Sequence, residues 1–202
     1  MSAQFVSLAV GYALGGGTLR RKGIKQRPWL EIRRLETEAT YLNHQVRGLQ
    51  RAGGGSVRVD LDVVAGPGLY DLRRARLHSP LLERVMAIAA PVDLQTITPM
   101  ALEVAGQRGL ALLWLDQGRW EGPSALLPLR HPGEADLVRQ FLRDLSIPCA
   151  PYPAQPATLR IAAGPMEALA QILRPHVHRS MRHALRRGSL HGAALASCKQ
   201  PW

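Results

Sequence analysis

The sequence predicts an α+β fold built from two similar halves, each running αββαββα. Three observations carry that expectation. An apolar, helix-like run ending in glycine occurs twice in altered form, as Leu8 to Leu19 (LAVGYALGGGTL) and as Leu110 to Trp120 (LALLWLDQGRW), about half a chain apart. After each copy, segments with the period of two of a strand alternate with segments of helical spacing. At 202 residues the chain is long enough for one large core or two fused half-domains, and the repeat favours a duplicated core.

The elements follow in order. Ser7 to Gly16 is apolar nearly all round, with small residues at Ala9, Gly11, Ala13 and Gly15. Small residues four apart remove the side-chain spacer, so this helix should be buried with its backbone close to a neighbour, ending at Gly16 and Gly17. Thr18 to Leu35 reads as a basic hairpin turning near Gln26 to Pro28. Glu36 to Ala52 is helical (Ala39, Leu42, Val46, Leu49) and stops at Gly53-Gly54-Gly55. Val57, Val59, Leu61 and Val63 alternate with Arg58, Asp60 and Asp62 as a half-buried strand. Gly66-Pro67-Gly68 turns it into a second strand, Leu69 to Leu77. Ser79-Pro80 opens a helix to Ala90, with Ser as N-cap and Pro in the first turn.

The second half repeats the order. A short helix starts at Thr98-Pro99, Gly109 to Gln117 is the second apolar helix, and Arg119 to Arg130 holds strand material. Pro132 to Leu145 is an amphipathic helix, Ile147 to Tyr152 and Thr158 to Ala163 form a hairpin, and Pro165 to Leu173 is the last helix. The halves are set at residues 1–92 and 93–186, with 187–202 as a loose tail.

Lys and Arg outnumber Asp and Glu by 26 to 15, a formal charge of +11 that points to a polyanionic partner, nucleic acid first. No segment reaches the roughly 18 consecutive apolar residues of a spanning helix, and the basic residues do not line one amphipathic helix, so a membrane is not the expected partner. The N-terminal apolar stretch has its Arg and Lys after it, the wrong polarity for an export signal. Cys149 and Cys198 are far apart and read as unpaired. A cytoplasmic, nucleoid-associated monomer is the expectation.

Both Gly-terminated runs resemble the signature of the LAGLIDADG homing endonucleases. Three further stretches resemble that family in family order: Glu38 to Arg51 (EATYLNHQVRGLQR), Tyr70 to Ala90 (YDLRRARLHSPLLERVMAIAA) and Leu173 to Leu185 (LRPHVHRSMRHAL). The resemblance spans nearly all of Leu8 to Leu185. It implies two pseudo-twofold-related halves whose signature helices pack side by side, while two antiparallel sheets form a saddle over double-stranded DNA. In such proteins each signature helix delivers one acid, just before its terminal Gly, to the cleavage metals. Those positions are Gly16 and Gln117 here.

Phosphodiester hydrolysis assisted by a hard cation calls for anionic oxygen ligands. Glycine supplies none and Gln117 offers one neutral carbonyl, so the expectation is a DNA-binding protein with a degenerate cleavage centre and no resident cofactor. Restoring Asp at both positions is expected to revive metal binding. The runner-up is an endonuclease or nickase using Asp116 with Mg or Mn; local hydrogen bonding at the helix end is the plainer reading of that residue. RNA binding, as in intron maturases of similar fold, and a protein-interaction scaffold complete the set of rival functions. The candidate DNA contacts are Arg20, Arg21, Lys22, Lys25, Arg27 and Arg33 in the first hairpin, Arg58, Arg73 and Arg76 in the second, and Arg119, Arg130 and Arg160 in the less basic second half. Asp60 and Asp62 balance nearby arginines or contact bases. His176, His178 and His183 have no standard zinc spacing, and Gly15-Gly16-Gly17-Thr18 lacks the Lys of a phosphate loop. Trp29, Trp114 and Trp120 read as core or sheet anchors.

Overall fold

The computed structural model describes residues 2–23, 25–66, 71–91 and 95–186, and in them the order αββαββα occurs twice. The first half comprises α1 (Ser2–Leu14), β1 (Gly17–Arg20), β2 (Trp29–Leu35), α2 (Ala39–Gly53), β3 (Arg58–Ala65), β4 (Asp71–His78) and α3 (Leu82–Ala89). The second comprises α4 (Pro99–Gln117), β5 (Arg119–Glu121), β6 (Ser124–Pro128), α5 (Pro132–Asp144), β7 (Ala150–Tyr152), β8 (Gln155–Ala162) and α6 (Ala163–Leu173). Two 3-10 turns, Arg174–His176 and Arg179–Leu185, close the described chain. The strands form two antiparallel sheets of matching order, β1-β2-β4-β3 and β5-β6-β8-β7. The boundary set at 92/93, the tail 187–202 and Cys198 lie outside the described residues.

Details differ from the sequence expectation for local reasons. Ser79 Oγ accepts the Leu81 N–H at 3.3 Å and Leu82 N–H reaches Ser79 O, so a turn precedes the regular helix, which begins only at Leu82. The two helical pieces expected after residue 98 form one element broken at Gly106, whose φ of 57° and ψ of −153° suit glycine. Thr98 caps it by accepting the Ala101 N–H at 3.0 Å, with Pro99 in the first turn.

α1 packs against α4, and both contribute to one hydrophobic core shared by the halves. A Cβ built on Gly11 would stand 3.2 Å from Gly109 Cα, so the helices approach backbone to backbone where both residues lack side chains. Around that crossing Phe5, Ala9, Val10, Ala13, Leu110, Leu113 and Trp114 are buried. Each large apolar side chain withdrawn from water contributes about 1.5–3 kcal/mol. The Trp114 indole N–H donates to Ala184 O at 3.3 Å and pins the closing turns onto α4. At Gly15 a Cβ would meet Leu112 O at 2.9 Å and Asp116 Oδ2 at 2.5 Å. Gly15→Ala is therefore expected to lose about 1–3 kcal/mol by overpacking, read as a lower midpoint in chemical denaturation.

Candidate nucleic-acid interface

Strand alternation sorts the sheet residues onto a face turned to the helices and an open face, but along β3 the first is left uncovered, and Leu61 and Val63 stand exposed where the sequence predicts a half-buried strand. In β2, Leu30, Ile32 and Arg34 point inward, opposite Leu77, Ala75 and Arg73 of β4. The open face of the first sheet carries Thr18, Arg20, Trp29, Glu31, Arg33, Arg58, Asp60, Asp62, Arg74, Arg76 and His78. In the second sheet Arg119, Glu121, Ser124, Leu126, Thr158 and Arg160 share the corresponding face. Basic side chains thus lie on both open faces, densely on the first.

Several of the arginines are held by carboxylates. Glu31, buried beneath its neighbours, accepts Arg33 Nε at 2.8 Å and Arg76 Nε at 3.2 Å. Arg74 Nε donates to Asp62 at 2.8 Å, while Asp60 lies 3.4 Å from both Arg58 and His78. Asp60 and Asp62 thus balance arginines. Burial works against the Glu31 charge, but the hydrogen bonds from Arg33 and Arg76 outweigh it and hold the carboxyl below its ordinary 4.5. A depressed folded value stabilises the protein fully above the unfolded pKa and ceases to do so as pH falls through the folded one. Glu31→Gln is accordingly expected to lower stability at pH 7, by a margin that disappears as pH falls through the folded value of the carboxyl. It also releases the two guanidiniums that Glu31 holds in place, so preference among duplex sequences should relax, measured by titration of several duplexes.

The remaining candidates divide by place. Lys22, Lys25 and Arg27 are exposed in the loop between β1 and β2, and with Arg20 and Arg119 they form no ion pair with a described residue. Arg160 Nε donates to Ser124 Oγ at 3.1 Å on the open face. Three positions differ from expectation. Arg21 turns onto α3 and pairs with Glu83. Arg73 stands three residues from Arg76 and so faces the other way, where it grips Glu36 at 2.6 and 2.8 Å. Arg130 reaches Gln95 O in the segment joining the halves. Arg74, on the open face, was not among the arginines expected from the sequence.

Gly16, just past α1, and Asp116, in the last turn of α4, meet where the signature helices end. Asp116 is 2% exposed; its Oδ2 accepts the Gly16 N–H, and its Oδ1 lies 2.8 Å from Arg34 Nη1. Arg34, equally buried, also donates from Nη2 to Asp116 Oδ2 at 3.2 Å, from Nη1 to Arg33 O at 3.1 Å and from Nε to Gln45 at 3.3 Å. Its guanidinium lies 5.5 Å from the Tyr41 ring centroid. Burial disfavours the Arg34 charge, yet Asp116, Tyr41 and Glu38 more than offset it and raise its pKa. Asp116 therefore bonds across the two halves, not locally at its helix end as its position suggested.

These residues do not fit a divalent cation. Gly16 supplies no side chain, Gln117 is a half-buried amide, and both Asp116 oxygens are committed beside a guanidinium that would repel a metal. Among the described residues no group of three or more His, Cys, Asp or Glu could hold a metal ion. Restoring an acid is also not the simple repair the sequence suggested. A Cβ on Gly16 would stand 2.9 Å from Asp116 Cγ and from Arg34 Nη1, so the space an acid there would need is already filled by this pair.

The homing endonuclease I-WcaI bound to its DNA recognition sequence matches with a TM-score of 0.70 at 16% identity, over 94% of this chain and 88% of that one. Mesophilic variants of the homing endonuclease I-DmoI match with a TM-score of 0.59 at 13% identity, over 88% and 98%. I-DmoI in complex with DNA and Ca gives 0.58 at 12%, over 97% and 98%. The chain has the LAGLIDADG homing endonuclease fold. No protein-family model and no curated protein matches the sequence. Within that fold, two residues of this chain escaped sequence reasoning. Gln95 donates to Gly17 O at 2.8 Å and to Ala13 O and accepts the Leu19 N–H at 3.0 Å, satisfying backbone at the end of α1. Glu134 accepts from Ile97 N–H at 2.8 Å, Thr96 Oγ at 3.1 Å and Arg130 N–H at 3.1 Å, tying the joining segment to α5. No helix among the described residues is long and apolar enough to cross a membrane.

Proposed function

We propose that this protein binds double-stranded DNA across the open faces of its two sheets and does not cleave it. The observation that carries the reading is the buried Arg34–Asp116 pair, which closes the point where the signature helices end while arginines stay presented on the open faces on either side. Charge supports the same division. A carboxylate neutralised in the interior adds no repulsion towards two converging phosphate backbones. The exposed cations of the β1–β2 loop can engage phosphates without sequence preference, and Arg33 and Arg76, oriented by Glu31, can present guanidiniums to guanine edges. The homing endonuclease I-WcaI, which this chain resembles in fold, is bound to its DNA recognition sequence, and that favours duplex DNA over RNA as the ligand here. A monomer acting on chromosomal DNA, as a regulator, a repair factor or a mobile-element remnant, follows from this reading.

Competition tests the ligand class. Labelled duplex should stay bound when structured RNA is added at equal phosphate concentration, and affinity should fall steeply with salt because each neutralised phosphate releases counterions. Displacement by RNA, or weak and salt-insensitive binding to both, would overturn the assignment.

A further inference from the structure

A second concentration of positive charge lies on the helical side of the molecule. Between α1, α2, α4 and the closing 3-10 turns runs a cleft of about 550 Å³, to which no strand contributes. That size falls within the range of small-molecule sites, about 300–1,000 Å³. Its floor is Leu8, Tyr12, Tyr41 and Leu112, all buried, and its walls carry His44 and Arg51 from α2 and Arg108 from α4. The closing turns and the bend between them add His176, His178, Arg179 and Arg182. Among the described residues no acidic side chain lines it. The contrast with the first sheet is direct: there the arginines are matched with Glu31, Asp60 and Asp62, whereas here the lining holds basic side chains and no carboxylate.

The basic groups are close enough to interact. The His44 and His178 rings lie 4.3 Å apart between centroids, and His178 stacks towards Tyr41 at 6.3 Å. Burial lowers the pKa of His44 below its ordinary value, and His178 and Arg51 lower it further. His176 is depressed by burial and then by Arg108. Gathering cations in a partly enclosed space without a counter-charge is unfavourable, and a bound anion reverses the sign of every one of these interactions. Guanidiniums provide planar, charge-assisted donors suited to phosphate, and the Tyr and His rings offer aromatic surface to a base.

We propose that this cleft binds a phosphate-bearing ligand of nucleotide size, either free or as the exposed end of a nucleic-acid strand. The titratable and charged groups that line the cleft with the two depressed histidines are Tyr12 from α1, Tyr41 and Arg51 from α2, Arg108 from α4, and His178, Arg179 and Arg182 from the closing segment. His44 and His176 gain from protonation once an anion is present, so binding takes up protons and tightens towards acid pH.

Calorimetry on the full chain tests this with three probes, adenosine diphosphate, a short single-stranded oligonucleotide and inorganic phosphate, each at pH 6 and pH 8. Two variants of exposed or half-buried arginines separate this cleft from the sheets: Arg51→Ala with Arg108→Ala, and Arg33→Ala with Arg76→Ala. The expected result is binding of the nucleotide or the oligonucleotide, about tenfold tighter at pH 6, weakened about tenfold or more in the cleft variant and retained in the sheet variant. Binding of free nucleotide identifies a small-molecule site, and binding of the oligonucleotide alone identifies a strand end. Proton resonances of His44 and His176 should titrate at higher pH in the complex. The proposal is overturned if no probe binds, if inorganic phosphate binds as tightly as the nucleotide, or if the sheet variant loses binding while the cleft variant keeps it. Duplex binding measured on the same two variants reports separately on the sheets.

Discussion

Asp116→Ala is expected to cost about 3–5 kcal/mol of stability, because it leaves the Arg34 guanidinium charged, buried and without its counter-ion. The same change strips the Gly16 N–H of its acceptor. For a domain of this size the loss corresponds to a melting temperature lower by roughly 10 °C. The attraction between the two residues alone is not the source of that figure, since bringing both charges out of water opposes it; the penalty arises from stranding one of them. Arg34→Met combined with Asp116→Asn removes both charges while leaving an acceptor for Gly16, and should recover most of the loss. Gly16→Asp should itself destabilise, because it forces a second carboxylate against Asp116. Paired with Asp116→Ala it offers Arg34 a carboxylate from the turn just past α1 and should be more stable than either single change. An Asp116→Ala protein within about 1 kcal/mol of wild type in chemical denaturation would show that the pair does not hold the halves together.

Removing the loop cations is the second large effect. Lys22→Ala, Lys25→Ala and Arg27→Ala together are expected to lower duplex affinity about a hundredfold at low salt. They should also reduce the slope of log affinity against log salt by about 2–3, near 0.9 for each phosphate no longer neutralised. All three side chains are exposed, so the fold should be unaffected. Arg33→Ala and Arg76→Ala should behave differently. Oriented by Glu31 on the open face, they are placed for base edges, and their loss should relax preference at individual positions by about 1–3 kcal/mol with little change in slope. A triple loop variant with an unaltered slope would mean that the duplex does not lie along this side of the first sheet.

Much of the architecture was legible because it rests on local pattern. Two Gly-terminated apolar runs and glycines at positions 11 and 15 suffice to anticipate twin helices in close contact, whereas the alternation through Val57 to Val63 marks a strand but not its burial, since Leu61 and Val63 are 58% and 55% exposed. Arg34 was legible in principle. It shares the parity of Leu30 and Ile32, and an arginine on an inward position needs a buried partner. Arg73 and Arg74 could have been sorted by the same count, since only even positions in β4 share the open face with Arg76. Gln95 and Glu134 were not legible. Each satisfies backbone groups distant in sequence, which no periodicity or spacing encodes. The role of Asp116 was hidden for the same reason, because its partners come from the other half and its place in the last turn of α4 is equally compatible with a local bond.

The most direct test is to select duplexes from a random pool, then incubate the tightest binder and a supercoiled plasmid with the protein in Mg and, separately, in Mn. The expected result is salt-sensitive binding of the selected duplex with both DNAs recovered intact in either metal. Metal-dependent nicking or linearisation that disappears in Asp116→Asn would contradict the account, because it would require the carboxylate to leave Arg34 and act on DNA.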